Sequence, residues 1–127
     1  MTKLNKKILI IEGKLSTLMS LVNKFSREGF YVIKAENGKE GLKLALKEHP
    51  DLVLLDIVLP KMDGIAILKK LRIDDWGEGV PVIIWTDLND IEITAVALEN
   101  KVYDFLLKTD WKIEDVVKKV KQKLRIL

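Results

Sequence analysis

Five short strand-like runs alternate with longer segments of helical period, and that alternation argues for βαβ units around a parallel sheet. The runs are Lys7 to Glu12, Tyr31 to Ala35, Leu52 to Asp56, Val82 to Trp85 and Tyr103 to Leu107. Ile10-Ile11, Val53-Leu54-Leu55 and Val82-Ile83-Ile84 are apolar on successive residues, so these strands must be covered on both faces. An antiparallel sheet with one wet face would alternate instead. The expected architecture is therefore α/β, a single doubly wound sheet of parallel strands between two layers of helices. Right-handed crossovers give the common order 2-1-3-4-5, with a crevice above the first and third strands.

The helical segments carry their own punctuation. The first spans about 15–28, with Leu15, Leu18, Met19, Val22 and Phe25 read as one apolar stripe and Gly29 as its stop. Asn37 can cap a second helix carrying Leu42, Ala45 and Leu46, which must end before His49-Pro50. Asp63-Gly64 opens a third, with Ile65, Leu68 and Leu71 inward, and Trp76 to Gly79 is a loop. Asn89 or Asp90 can cap a fourth through Asn100. Asp110 can cap a fifth, built on Ile113, Val116, Val117, Val120 and Leu124. At 127 residues, 48% of them hydrophobic, the chain holds one well-filled core and is read as one domain, 1–127.

The absence of cysteine excludes a disulfide framework, a zinc knuckle and a thiol nucleophile. The basic start, Met1 to Lys7, leads into only four aliphatic residues, too short for a signal peptide or a membrane span, and a cytoplasmic location is expected. The net charge of +3 is concentrated at that start and in Lys118 to Arg125. In the tail, basic residues alternate with Val116, Val117, Val120 and Leu124, as on the wet side of an amphipathic helix. Without an aromatic platform or a reading helix, nucleic acid is not an expected partner.

The chemistry is read at the ends of the strands. Glu12, Asp56, Thr86 and Lys108 each close a strand-like run, so parallel strands bring two acids, a hydroxyl and an ammonium to one edge of the sheet. Asp56 is followed by the breaker-rich stretch Val58-Leu59-Pro60-Lys61-Met62-Asp63-Gly64. His49, the only histidine, reads as a surface or cap residue. Trp85 and Trp111 read as core or interface, Met62 as packing beneath the Asp56 loop, and Asp63-Gly64 as a turn and cap rather than a second metal site.

These residues resemble the receiver domains of two-component response regulators, a flavodoxin-like (CheY-like) family, over nearly the whole chain. The likeness rests on Lys7 to Glu12, Pro50 to Asp56 with Leu59 to Gly64, Pro81 to Thr86 and Asp104 to Lys108. It implies that Asp56 accepts a phosphoryl group from a histidine kinase or histidine phosphotransfer partner. It further implies a Mg²⁺ held by Glu12, Asp56 and the main-chain carbonyl of Val58, with waters completing the octahedron. Lys108 would pair with the phosphoryl oxygens, the Thr86 hydroxyl would move in to bond one of them, and Phe105 matches the aromatic that rotates with that movement. The readout would be a repacked surface of fourth helix, fifth strand and fifth helix, which would bind a downstream partner or a second copy.

The sequence departs from that pattern in three places. Gly13 stands where a second acid usually follows Glu12, and loss of such a partner weakens metal affinity by about 10- to 100-fold, so Mg²⁺ binding is expected to be weak. Lys14 is placed to swing its ammonium toward the acids and substitute for the metal, or else to begin the first helix in solvent. Thr109 replaces a proline commonly preceded by a cis bond; before threonine that form costs ~3 kcal/mol, so Lys108-Thr109 is expected to be trans. Val58 and Leu88, apolar at the positions that tune hydrolysis in the family, imply slow loss of the phosphoryl group.

Two functions stay open: a stand-alone phosphoacceptor that signals by a switch, and a degenerate receiver that binds proteins whatever its phosphorylation state. Neither is an enzyme in the usual sense. An aspartyl-nucleophile phosphatase would want a carboxylate where Val58 stands. A nucleotide- or flavin-binding relative would want a glycine-rich nest where Gly13-Lys14-Leu15-Ser16 stands.

Overall fold

The structure is a computed structural model that describes residues 4–126; Met1, Thr2 and Lys3 of the basic start and Leu127 lie outside the described residues. Five parallel strands, β1 (Lys7–Ile11), β2 (Tyr31–Ala35), β3 (Leu52–Leu55), β4 (Val82–Thr86) and β5 (Asp104–Leu107), form one sheet in the order β2-β1-β3-β4-β5. Five helices alternate with them: α1 (Leu15–Arg27), α2 (Gly38–Glu48), α3 (Gly64–Arg72), α4 (Ile91–Glu99) and α5 (Ile113–Lys123). The expected α/β architecture and strand order are both present.

The run of successive apolar residues is explained by two cores. Leu9, Ile11, Val53, Leu55, Val82 and Ile84 point to one face and pack with Ala45, Ile67, Leu68, Leu71 and Ala97 from α2, α3 and α4. Ile8, Ile10, Leu52, Leu54, Ile83 and Trp85 point to the other, against Leu18, Leu21 and Phe25 of α1 and Val116, Val117 and Val120 of α5. The period-2 pleat assigns alternate residues of each strand to alternate cores. Each strand therefore needs apolar side chains on both parities.

Several local expectations change. The buried arc of α1 is Leu18, Leu21 and Phe25, whereas Leu15 and Met19 are exposed; at 100° per residue the last two lie roughly a quarter turn away from that arc. In α2, Leu46 is exposed and Gly41 is buried instead, because the helix approaches Ile11 so closely that a Cβ on Gly41 would lie 2.6 Å from Ile11 Cδ1. Asp110 does not cap α5. The N–H groups of Asp110 and Trp111 both turn back onto the Leu107 carbonyl at 3.0 Å, which delays the helix to Ile113; the carboxylate of Asp115 then accepts from the Lys112 N–H at 3.1 Å.

The basic face of α5 is not simply wet: Lys119 and Lys123 pair with Asp104, and Lys121 with Glu28. Asp90 caps α4, Asn37 caps α2, and Asp63 caps α3. His49 ends α2 in the left-handed region and stacks on Trp76 with ring centroids 4.4 Å apart. Among the described residues no peptide bond is cis, so Lys108-Thr109 is trans. No helix there is long and apolar enough to cross a membrane.

Candidate functional site

Parallel register decides which side chains meet. Ile11 pairs with Leu55, so the residues that follow them, Glu12 and Asp56, leave adjacent strands at the same level. Thr86 pairs with Leu107, which puts Lys108 one step beyond, with its N–H donating to the Thr86 carbonyl at 2.8 Å. Among the described residues the only buried polar or charged side chains are Glu12, Asp56 and Thr86, at 3%, 6% and 0% exposure. Burial of that kind is tolerated only where the groups satisfy one another.

They do so through Lys108. Its ammonium lies 2.7 Å from Glu12 Oε1 and 2.9 Å from Asp56 Oδ2, bridging the two acids. Asp56 Oδ1 accepts from the Thr86 hydroxyl at 2.6 Å and from the Val58 N–H at 3.2 Å, and Glu12 Oε2 accepts from the Lys14 N–H at 3.1 Å. The Lys108 ammonium also sits 5.1 Å from the centre of the Trp85 ring, whose Nε1 donates to the Trp111 carbonyl at 2.9 Å. Trp85 is thus core, as its strand position suggests, and also a wall of the site.

One ammonium facing two carboxylates leaves the cluster with excess negative charge. Burial raises the Glu12 carboxyl above its ordinary range, and the charge of Asp56 adds to the rise, against the hydrogen bonds from Lys108 and the Lys14 N–H. Burial works to lower the Lys108 ammonium, but its hydrogen bonds to Glu12 and Asp56 outweigh that and hold it above its ordinary value. The ammonium is therefore held charged, and the pocket still favours added positive charge.

The loop after Asp56 is shaped by Gly64. A Cβ there would lie 2.6 Å from the Asp56 carbonyl and 2.7 Å from Ile57 Cα, so only glycine lets α3 begin this close to the end of β3. Met62 is half-buried against the core below this loop, as expected. Val58 is exposed, and its carbonyl oxygen would be 3.6 Å from a Cβ on Gly13. The Glu12 and Asp56 carboxylates share one edge and offer only oxygen donors, the kind that Mg²⁺ takes with several waters retained. No third acidic, histidine or cysteine side chain joins it among the described residues.

Glu12, Asp56, Thr86 and Lys108 converge, and of Val58 the main-chain N–H reaches Asp56. Phe105 lies on β5, half-buried against the core shared with α4. The Lys14 side chain is exposed and makes no ion pair among the described residues; only its main-chain N–H reaches Glu12. Arg72 has no sequence signal that marks it. Its guanidinium donates to the carbonyls of Asn100, Gly77 and Val80 at 2.8, 2.7 and 2.9 Å, tying the end of α3 to the end of α4 and the entry to β4.

Comparison with known proteins identifies the family and matches the fold. Residues 8–121 match the response regulator receiver domain. The chain is 38% identical over 96 residues to sporulation initiation phosphotransferase F of Bacillus subtilis, covering 76% of each. It is 36% identical over 103 residues to the probable transcriptional regulator ycf27 of Porphyridium aerugineum, of whose length it spans only 42%. Among solved structures, a CheY-like receiver domain protein from Methanospirillum hungatei superposes with a TM-score of 0.88 at 29% identity, over 94% of both chains. The CheX-CheY-BeF3-Mg²⁺ complex from Borrelia burgdorferi contains a chain that superposes at 0.83 with 27% identity, over 94% of this chain and 89% of that one. The chain belongs to the receiver domains of two-component response regulators, the family whose general function is phosphorylation coupled to conformational switching.

Proposed function

We propose that Asp56 is the phosphoacceptor. A carboxylate oxygen of Asp56 attacks the phosphorus of a phosphohistidine on a kinase or phosphotransfer protein. The P–N bond breaks, the imidazole leaves, and an aspartyl phosphate forms. The observation that carries this reading is the half-buried Lys108 ammonium, 2.9 Å from Asp56, where it can stay with the phosphoryl oxygens as charge develops. Thr86 supplies a hydroxyl donor on the other side, and the Val58 N–H holds the carboxylate in orientation. Bound Mg²⁺ supplies further neutralisation of the phosphoryl charge, and Glu12, Asp56 and the Val58 carbonyl are the residues to hold it.

Metal binding is weak in this reading, because Gly13 brings no acid and Lys108 already occupies both carboxylates. The positive charge that Lys14 could have offered is supplied by Lys108. Val58 is exposed and Leu88 half-buried, both apolar, so neither orients an attacking water and the acyl phosphate is long-lived. The output surface is the α4-β5-α5 face, where Ile91, Leu98 and Tyr103 are exposed, with Phe105 beneath it reporting the position of Thr86. A downstream protein or a second copy docks there, in the cytoplasm.

A second reading is favoured by one specific observation. Thr86 donates to Asp56 and Lys108 bridges both acids, so the polar atoms of the cluster satisfy one another. Such a self-contained cluster supports the reading of a degenerate receiver working as a binding module.

Titration with Mg²⁺ and then beryllofluoride, followed by tryptophan fluorescence, separates the two. Trp85 and Trp111 flank the site, whereas Trp76 is stacked on His49 and gives a constant background. A saturable change that disappears in Asp56→Asn supports the phosphoacceptor. A flat response at tens of millimolar Mg²⁺ leaves the binding module.

A further inference from the structure

The cations of this chain are unevenly answered. On α5, Lys119 and Lys123 are paired with Asp104 and Lys121 with Glu28. On α2, Lys39, Lys43 and Lys47 recur every fourth residue, line one groove of about 580 Å³ with Lys61 and the half-buried Leu44, and make no ion pair among the described residues. The groove holds one carboxylate, Glu40. Four unpaired ammonium groups on one concavity repel one another, which is a standing cost to the fold unless something anionic meets them.

Lys61 reaches the groove from the loop after Asp56, its backbone held at a φ of 68°. The groove is also joined to the loop that follows Asp56. The Gly38 N–H donates to the Pro60 carbonyl at 3.2 Å, and a Cβ on Gly38 would lie 1.7 Å from the Met62 carbonyl oxygen. Whatever grips α2 therefore touches that loop.

We propose that this groove docks an acidic helix of a partner protein, with carboxylates at four-residue spacing over Lys39, Lys43 and Lys47 and one apolar side chain on Leu44. Lysines four apart stand ~6 Å apart along the helix, the same rise at which a partner helix presents its own i, i+4 acids. Nucleic acid is disfavoured because no aromatic lines the groove for base stacking. A membrane is disfavoured because Leu46 is the single exposed large apolar residue on α2. The surface is distinct from the α4-β5-α5 face and does not depend on the chemistry of Asp56.

The test is an NMR titration of the ¹⁵N-labelled protein with a blocked alanine-based helical peptide carrying glutamates every fourth residue and one leucine. Saturable shifts at 38–48 and 59–63 are expected at low salt, weakening steeply as salt rises toward ~0.5 M. Lys39→Gln/Lys43→Gln/Lys47→Gln, shown to be folded by circular dichroism, weakens binding by about tenfold or more. Lys61→Gly keeps the fold and removes the shifts at 59–63. Equal binding of a glutamine twin of the peptide, an unaffected triple variant, or shifts centred on α5 each overturns the proposal. So does tighter binding of a single-stranded oligonucleotide or of phosphatidylglycerol vesicles.

Discussion

The Thr86 hydroxyl donates to Asp56 Oδ1 across 2.6 Å, from the tip of the adjacent strand, with both side chains buried. Hydrogen bonds to a charged acceptor contribute more than neutral ones, and this one also orients the carboxylate. Thr86→Val keeps the shape and removes the donor, and also leaves the Leu88 N–H without its acceptor at 3.3 Å. A loss of about 1.5–3 kcal/mol in urea unfolding is expected, with Thr86→Ser recovering most of it.

Lys108 reconciles two buried acids, so its loss is felt through both. Lys108→Met leaves Glu12 and Asp56 facing each other without a cation, and a cost of about 3–5 kcal/mol at neutral pH is expected. The sign with pH follows from Glu12. Its folded-state pKa is raised, so its contribution is fully favourable below its unfolded value and is lost as pH rises through the folded one. Lys108→Met also removes the hydrogen bond that lowers the Glu12 carboxyl, which then rises further than in the wild type, so the penalty of the variant shrinks on acidification. Urea titrations of both proteins between pH 4 and 8 measure it, and Glu12→Gln added to Lys108→Met should recover part of the loss.

The site was legible in the sequence because a polar residue ending an apolar run marks a strand tip, and parallel register then forces Glu12 next to Asp56 and Thr86 next to Lys108. The three central strands were legible because two-sided burial leaves no polar parity to confuse the pattern. The rotation of α1 was not. Leu15 and Met19 match the helical period as well as Leu21 does, and only the position of the sheet decides which of them is covered. The start of α5 is not legible, because the turn that recloses on Leu107 consumes Asp110 and Trp111, a tertiary choice without a local signature. That Lys108 rather than Lys14 bridges the acids is likewise a matter of reach across the sheet.

Arg72 had no periodic signal, since its partners are main-chain carbonyls. Arg72→Met strands the carbonyls of Asn100, Gly77 and Val80, which are otherwise met by one guanidinium. A loss of about 2–4 kcal/mol is expected, with faster amide exchange at the end of α4 and the entry to β4. Arg72→Lys, which cannot reach three acceptors in one plane, recovers only part.

Glu28 links α1 to α5 by accepting from Lys121, and it also pairs with Lys24. The hydrogen bond from Lys121 holds its carboxyl below the ordinary value against the opposing effect of burial. Its contribution to stability is therefore present above the unfolded pKa and lost as pH falls through the folded one. Glu28→Gln should lower the thermal midpoint at pH 7 and leave it unchanged near pH 2, so the two melting profiles converge on the acid side. Parallel profiles would place the effect outside the ion pair.

Gly13→Asp tests whether the absence of an acid beside Glu12 limits Mg²⁺ affinity at the proposed site. A Cβ at this position lies 3.6 Å from the Val58 carbonyl oxygen, so an added carboxylate faces the same edge as Glu12 and Asp56. It also lies 3.0 Å from Pro60 Cδ, so the proline ring must yield by a few tenths of an ångström. Gly13→Ala carries the same contact without the charge and isolates that cost. If the acid is the missing element, Gly13→Asp tightens Mg²⁺ by about 10- to 100-fold over both wild type and Gly13→Ala. The change is read by fluorescence of Trp85 and Trp111 and by the rise in thermal midpoint with added Mg²⁺, which grows as the logarithm of metal concentration over Kd. Equal affinity in all three proteins would instead identify the bridging Lys108 as the limit. Lys108→Met would then tighten the metal where Gly13→Asp did not, because a cation competing for the same two carboxylates had been removed.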